Sequence, residues 1–266
     1  MLLAQISDFH VGKLGSSIDT EYRTSEHLRR AVEHINRLAP RPDVVLCTGD
    51  LVDEGSTEEY ARLVALLAEL TMPFYVVPGN HDHRENLRAA FGGRGYLPAE
   101  GFLQYTVDLG ELRLIALDTH VPGAPGGLLC AERLAWLDAR LGEEPQRATV
   151  VMQHHPPFRS GISYIDTMGL EGIEGFTEVV ARHPQVERVL CGHLHRPIVR
   201  RVAGTVAMTC PSTSHQLELD LREPGRLALV DEPPVCLLHV FREGLGLITH
   251  SSYMRDFGAP HVLVEV

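Results

Sequence analysis

The sequence has no Cys-x-x-Cys pair, although it carries five cysteines. Cys47, Cys130, Cys191, Cys210 and Cys236 are odd in number and unclustered. That excludes a dense disulfide framework and a cysteine-built zinc knuckle, and all five read as reduced thiols of a cytoplasmic protein. No apolar run reaches the roughly 18 residues of a membrane span, so no membrane partner is expected. Met1-Leu2-Leu3-Ala4 leads straight into the first candidate metal motif, so no cleavable leader is expected. Positive charge is in deficit: 24 Lys and Arg face 35 Asp and Glu, a net charge of −11. This is the reverse of a basic footprint and argues against a nucleic-acid polymer as partner. A small nucleotide remains compatible, because bound cations reverse the charge locally. There is no linker, repeat or low-complexity tract. The single tryptophan, Trp136, reads as core filler.

Against these absences stand fifteen histidines and five short polar motifs. The motifs are Asp8-Phe9-His10, Gly49-Asp50, Gly79-Asn80-His81-Asp82, His154-His155-Pro156-Pro157 and Gly192-His193-Leu194-His195. Each follows an apolar run that reads as a strand, at residues 2–6, 44–47, 74–77, 149–152 and 189–191. Strand ends that deliver Asp, Asn and His to one rim of a sheet are where an α/β protein builds its site. Divalent first-row metals accept imidazole nitrogen and carboxylate or amide oxygen. A carboxylate shared by two cations holds them roughly 3.5–4 Å apart, which suits phosphoryl chemistry. Asp50, alone in a Gly-Asp turn, fits that bridging role best.

In these motifs the chain resembles the calcineurin-like metallophosphoesterase superfamily, and within it the class III cyclic-nucleotide phosphodiesterases and bacterial glycerophosphodiesterases. The opening Leu-Leu-Ala-Gln-Ile-Ser-Asp and the Gly-Asn-His-Asp block carry the likeness to that branch. The resemblance implies two divalent transition-metal ions (Fe, Mn, Zn or Co). One would be held by Asp8, His10, Asp50 and His195, the other by Asp50, Asn80, His154 and His193. A hydroxide bridging the metals would attack phosphorus in line. His81 corresponds to the histidine that stabilises the transition state or protonates the leaving oxygen. Asp82 is expected to orient His81 or to cap a helix, and His155 to be structural. His215, in Pro211-Ser212-Thr213-Ser214-His215, resembles a histidine of the substrate pocket, so His81, His215 and Asn80 make up the expected substrate contacts.

One departure narrows the class. Protein phosphatases of this superfamily carry Gly-Asp-x-Val-Asp-Arg-Gly, whereas this chain has Gly49-Asp50-Leu51-Val52-Asp53-Glu54-Gly55. Replacing the arginine by Glu54 disfavours a phosphomonoester dianion relative to a diester monoanion. The expected function is therefore a dinuclear metal-dependent phosphodiesterase acting on small glycerophosphodiesters or cyclic nucleotides. The rivals are a phosphomonoesterase or nucleotidase on the same fold, and a non-catalytic scaffold.

Along the chain, an amphipathic helix is predicted over 24–38 and stopped by Pro40 and Pro42. A second begins at an Ser56/Glu59 capping box and runs to about Leu70. A hairpin turns at Gly110-Glu111, and a helix spans 131–141. Short strands are predicted at 197–202, 205–209, 216–221, 235–241 and 245–249. This αβ alternation followed by hairpins, together with the resemblance, implies an α/β (α+β) four-layer αββα sandwich with a small C-terminal β appendage. Residues 1–250 form the catalytic domain, and 251–266 a tail that caps the site or joins subunits of a homo-oligomer. The glycine-rich segment Phe158–Gly175 is a candidate lid or pocket wall.

Overall fold

The computed structural model describes residues 1–259 and 261–264. In chain order the strands are β1 (Leu2–Ile6), β2 (Val44–Cys47), β3 (Phe74–Val76), β4 (Tyr105–Asp108), β5 (Arg113–Ala116), β6 (Gly127–Leu128), β7 (Thr149–Met152), β8 (Leu170–Glu171), β9 (Val186–Cys191), β10 (Val199–Val202), β11 (Thr205–Thr209), β12 (Gln216–Leu217), β13 (Leu229–Val230), β14 (Val235–Arg242) and β15 (Gly246–Tyr253). The helices are α1 (Ser17–Glu21), α2 (Thr24–Arg37), α3 (Thr57–Leu67), α4 (Arg84–Phe91), α5 (Ala131–Glu143) and α6 (Ile173–Ala181).

Two mixed sheets pack face to face, in the orders β15-β14-β1-β2-β3 and β10-β11-β9-β7-β5-β4. Strand alternation explains the layering. In β2, Val45 and Cys47 join Leu28, Val32, Ile35, Leu63 and Leu67 of α2 and α3 in one apolar cluster. Val44 and Leu46, pointing the other way, meet Leu114, Val150, Met152 and Leu190 of the second sheet. The far face of that sheet, through Ile115, Val151 and Val189, packs on Leu137, Leu141, Phe176 and Val180 of α5 and α6. Three apolar interfaces therefore separate four layers, helix–sheet–sheet–helix.

The local signals act as their chemistry requires. Ser56 Oγ accepts from Glu59 N, and Glu59 Oε2 accepts from Ser56 N at 2.9 Å, completing the capping box of α3. The late strands depart from expectation in two places. The C-terminal strands are built into the first sheet rather than appended: β14 lies antiparallel to β1, with Leu2 opposite Val240. The sheet has room there because β1 is otherwise an edge. The strand expected over 216–221 stops at Leu217, because the Asp220 carboxylate accepts from the Arg222 and Arg226 amides and curls the chain. β15 continues to Tyr253, past residue 250, and within the tail Pro260, Glu265 and Val266 lie outside the described residues. Phe158–Gly175 is packed rather than open, with Phe158, Ile162, Ile165 and Leu170 all buried.

Candidate metal centre

The five motifs lie just beyond the C-terminal ends of β1, β2, β3, β7 and β9. The first three strands run parallel in one sheet and the last two parallel in the other. The facing rims therefore bring the motifs together from both sheets. The loops are tied to one another through their backbones: Asp8 N donates to Gly49 O, His10 N to Asp50 O, and Gly192 N to His154 O, each at 3.0 Å. The carboxylates of Asp8 and Asp50 add to this. Asp8 Oδ1 accepts from His193 N at 3.0 Å and Asp50 Oδ1 from His81 N at 2.9 Å.

This geometry is strained. Asp8, His10, Asp50, His193 and His195 all have positive φ, between 45° and 71°. Each costs roughly 1–3 kcal/mol and persists only where its surroundings dictate it. Side-chain space is equally tight: a Cβ on Gly79 would stand 2.2 Å from Asp50 Oδ1. Only glycine lets the Asn80 loop close on the Asp50 loop.

The donor atoms converge in two groups. In the first, His10 Nε2 lies 3.1 Å from His195 Nε2 and 3.7 Å from Asp50 Oδ2, and His195 Nε2 lies 3.4 Å from Asp8 Oδ1. In the second, His154 Nε2 lies 3.3 Å from Asp50 Oδ2 and 3.2 Å from Asn80 Oδ1, which is 3.1 Å from His193 Nδ1. Asp50 Oδ2 thus faces both groups. Ligands about 2.1 Å from one tetrahedral metal lie roughly 3.4 Å apart, so these separations fit metal ligation. Two facing imidazole nitrogens share at most one proton, and a cation is what suits the remaining lone pairs. All seven residues except half-buried Asn80 are buried.

The surrounding carbonyls fix the rings. His154 Nδ1 donates to Thr48 O at 2.8 Å, His195 Nδ1 to His215 O at 2.9 Å, and His193 Nε2 to Met168 O at 3.0 Å. That last bond makes the Phe158–Gly175 segment a wall of the site. Burial opposes charge on His154, but Asp50 outweighs it and raises the ring to about 9. Burial, with His154 adding to it, pushes His193 down to about 4.

A family model described as calcineurin-like phosphoesterase matches residues 1–197. The chain belongs to the calcineurin-like phosphoesterase family. It is 36% identical over 262 residues to a probable glycerophosphodiester phosphodiesterase, GpdQ, of Arcobacter nitrofigilis, covering 98% of this chain and 96% of that protein. It is 32% identical over 232 residues to the 3',5'-cyclic adenosine monophosphate phosphodiesterase CpdA of Pseudomonas aeruginosa, covering 85% and 83%. A dimetal phosphatase from Danio rerio shares the fold, with a TM-score of 0.63 at 15% identity over 96% of this chain and 99% of that one.

Several family-position residues behave differently from the sequence expectation. Asp82 neither orients His81 nor caps a helix. Its buried carboxylate accepts from Tyr60 Oη at 2.7 Å, Gly79 N at 2.8 Å and Leu51 N at 3.1 Å, pinning the Asp50 and Asn80 loops together. His81 is oriented instead by Asp53, whose carbonyl accepts from its Nδ1 at 2.8 Å. The Asp53 carboxylate also approaches His10 Nδ1 at 3.5 Å. Glu54 stands beside His81 in the wall of a cavity, but its charge is met by Lys13, so the anion it presents is partly neutralised. His155 is fully buried behind the ligands, its Nδ1 2.8 Å from Thr119 Oγ1. The His215 ring centroid lies 4.8 Å from His195 and 5.2 Å from His10, at the edge of the first donor group. No motif pointed to Tyr60 or Lys13, and the Gly-Asp-x-x-Asp motif contains Asp53 without marking it as the partner of His81; only the loop packing gives the three these roles.

Proposed function

We propose that this protein is a dinuclear metal-dependent phosphodiesterase acting on small phosphodiesters, in keeping with the glycerophosphodiester and cyclic-nucleotide phosphodiesterases it is similar to. The observation that carries the dinuclear part is Asp50 Oδ2, one oxygen facing two buried donor groups. Asp8, His10, Asp50 and His195 would hold one divalent transition metal, and Asp50, Asn80, His154 and His193 the other. Bound there, the two cations supply Lewis acidity toward the phosphoryl oxygens and activate water. The chain's own residues hold and orient. Asp53 fixes the His81 tautomer with Nδ1–H on its carbonyl, which leaves Nε2 to exchange a proton with an ester oxygen. We assign the substrate contacts to Asn80, His81 and His215: the first two line one cavity, and the His215 ring lies beside His10 and His195.

The test is turnover of metal-loaded protein on an aryl phosphodiester and its monoester. The diester is expected to be favoured at least about tenfold in kcat/KM, roughly 1.4 kcal/mol. A diester carries one negative charge where a monoester carries nearly two, and no arginine stands in the Gly-Asp-x-x-Asp motif to grip the dianion. Chelation should abolish activity and Mn or Co restore it. Equal or reversed preference would move the chain to the phosphomonoesterase reading.

No helix among the described residues is long and apolar enough to cross a membrane. The cytoplasm is the compartment that suits five free cysteines, four of them buried. We assign the catalytic domain to residues 1–250 and a subunit contact to the tail. Exposed Phe257, Val262, Leu263 and Val264 support a homo-oligomer, and light scattering at the monomer mass of 29.4 kDa would count against it.

A further inference from the structure

The layer between the two sheets is apolar, yet a chain of polar side chains crosses it. Leu3 of β1, Leu237 and Phe241 of β14 and Leu247 of β15 all point into that layer. Strand alternation sends Gln5 of β1 and His239 of β14 the same way, and both are fully buried. Gln5 Nε2 donates to Thr48 Oγ1 at 3.1 Å and to Cys191 O at 3.0 Å. Its Oε1 lies 3.1 Å from His239 Nε2, and His239 Nδ1 lies 2.9 Å from Thr249 Oγ1 on β15. A carbonyl oxygen only accepts, so Cys191 O fixes which way the Gln5 amide faces. His239 Nε2 is then the donor to Oε1, and Nδ1 is left to accept from Thr249. Burial lowers this ring to about 3, so it is neutral near pH 7, as that arrangement needs.

The partners of the amide are residues that lead into the candidate ligands. Thr48 precedes Gly49-Asp50 beyond the end of β2, and its carbonyl accepts from His154 Nδ1 at 2.8 Å. Cys191 closes β9 and precedes Gly192-His193. β1 and β2 lie in one sheet and β9 in the other, so one side chain ties the two rims together. Fold stability alone gives no reason for an amide here. Burying it costs about 1–3 kcal/mol, which its hydrogen bonds offset only when all are made. Methionine, of similar length, would fill an apolar layer without that cost. What the amide adds is direction: its hydrogen bonds fix Thr48 against Cys191, whereas apolar contact is non-directional. Metal ligation tolerates shifts of only about 0.2 Å, so the rims behind the donors need such a fixed separation.

We propose that Gln5 is a positioning residue of the metal centre, setting the spacing of the β2 and β9 loops and hence of Asp50 from His193. This rests on the dinuclear reading above. Gln5→Met and the double variant Gln5→Met with His239→Leu test it together. The single variant leaves His239 Nε2 without an acceptor and loses stability for that reason alone. The double variant removes that orphan too and should regain stability. Co²⁺ titrated into metal-free protein, followed by its visible absorption, gives affinities without any turnover. The wild type is expected to take two ions. In both variants one ion should bind about 10–100-fold more weakly, the scale for residues that orient ligands, and the absorption bands of the loaded protein should change. Thr48→Val is nearly isosteric and removes the Gln5–Thr48 hydrogen bond alone, so it should weaken the same ion by a smaller factor. A double variant that regains stability and also binds both ions with wild-type affinity and spectrum would show that Gln5 acts on folding alone, and overturns the assignment. Should neither Gln5 variant fold, Thr48→Val decides, and unchanged affinity there overturns it equally. A wild type that takes one ion would sink the dinuclear reading instead, and the affinity of that ion in the variants still decides whether Gln5 positions its ligands.

Discussion

Gly192→Ala should disable the metal centre through a single methyl group. The added Cβ would stand 2.1 Å from Ser7 Oγ, 2.7 Å from Asp8 Oδ2 and 2.7 Å from Thr48 O. Carbon–oxygen contacts this short must open by about 1 Å, since non-bonded atoms rest roughly 3.5 Å apart. Ser7 can rotate, but the other two neighbours cannot yield cheaply. Thr48 O accepts from His154 Nδ1, and Asp8 holds the His193 amide through both oxygens, at 3.0 and 3.2 Å. Relief therefore separates the β9 loop from the β1 and β2 loops, and with it His193 and His195 from Asp8 and Asp50. Overpacking of this kind costs about 1–3 kcal/mol in stability. The larger effect falls on the metals, because ligation tolerates shifts of only about 0.2 Å. The assay pairs thermal unfolding with elemental analysis of the reconstituted protein. A companion variant, Gly142→Ala near the end of α5, meets nothing within 4 Å. It should be neutral or stabilising by up to roughly 1 kcal/mol. Gly192→Ala that binds two metals per chain with unchanged affinity would refute the argument.

Other outcomes follow from the same geometry. Asp50→Ala should lose metal and activity together by removing the oxygen that faces both donor groups, as elemental analysis will read. His81→Ala should keep both metals and lower kcat by about 10²-fold or more; loss of a metal instead would count against its assignment. Tyr60→Phe removes the hydroxyl that Asp82 accepts from and that itself accepts from His83 N at 3.1 Å. It should cost about 1.5–3 kcal/mol in chemical denaturation, and an unchanged midpoint would sink the claim that Asp82 pins the loops. Burial lowers the His239 ring to about 3 from an ordinary 6.5. A group whose folded pKa is depressed contributes its full stability above the unfolded pKa. His239 therefore loses up to about 1.4 kcal/mol per pH unit as pH falls from 6.5 toward 3. His239→Gln should flatten that slope in urea titrations, and an identical slope would refute the assignment.

The candidate ligands Asp8, His10, Asp50, Asn80, His154, His193 and His195 are what the resemblance carried by the five motifs implies, and the apolar run before each motif places them at strand ends whichever sheet each strand joins. The capping box of α3 was equally local, since both partners lie within one turn. What surrounds the ligands depended on loops meeting across long separations. Asp82 and His81 are sequence neighbours, yet their partners are Tyr60 and Asp53, set by how the Asp50 and Asn80 loops close on each other. Lys13 reaches Glu54 across 41 positions and alters the charge that Glu54 alone implied. The place of β14 beside β1 likewise required the tertiary fold, because an alternating strand records which face is buried but not which neighbour it pairs with.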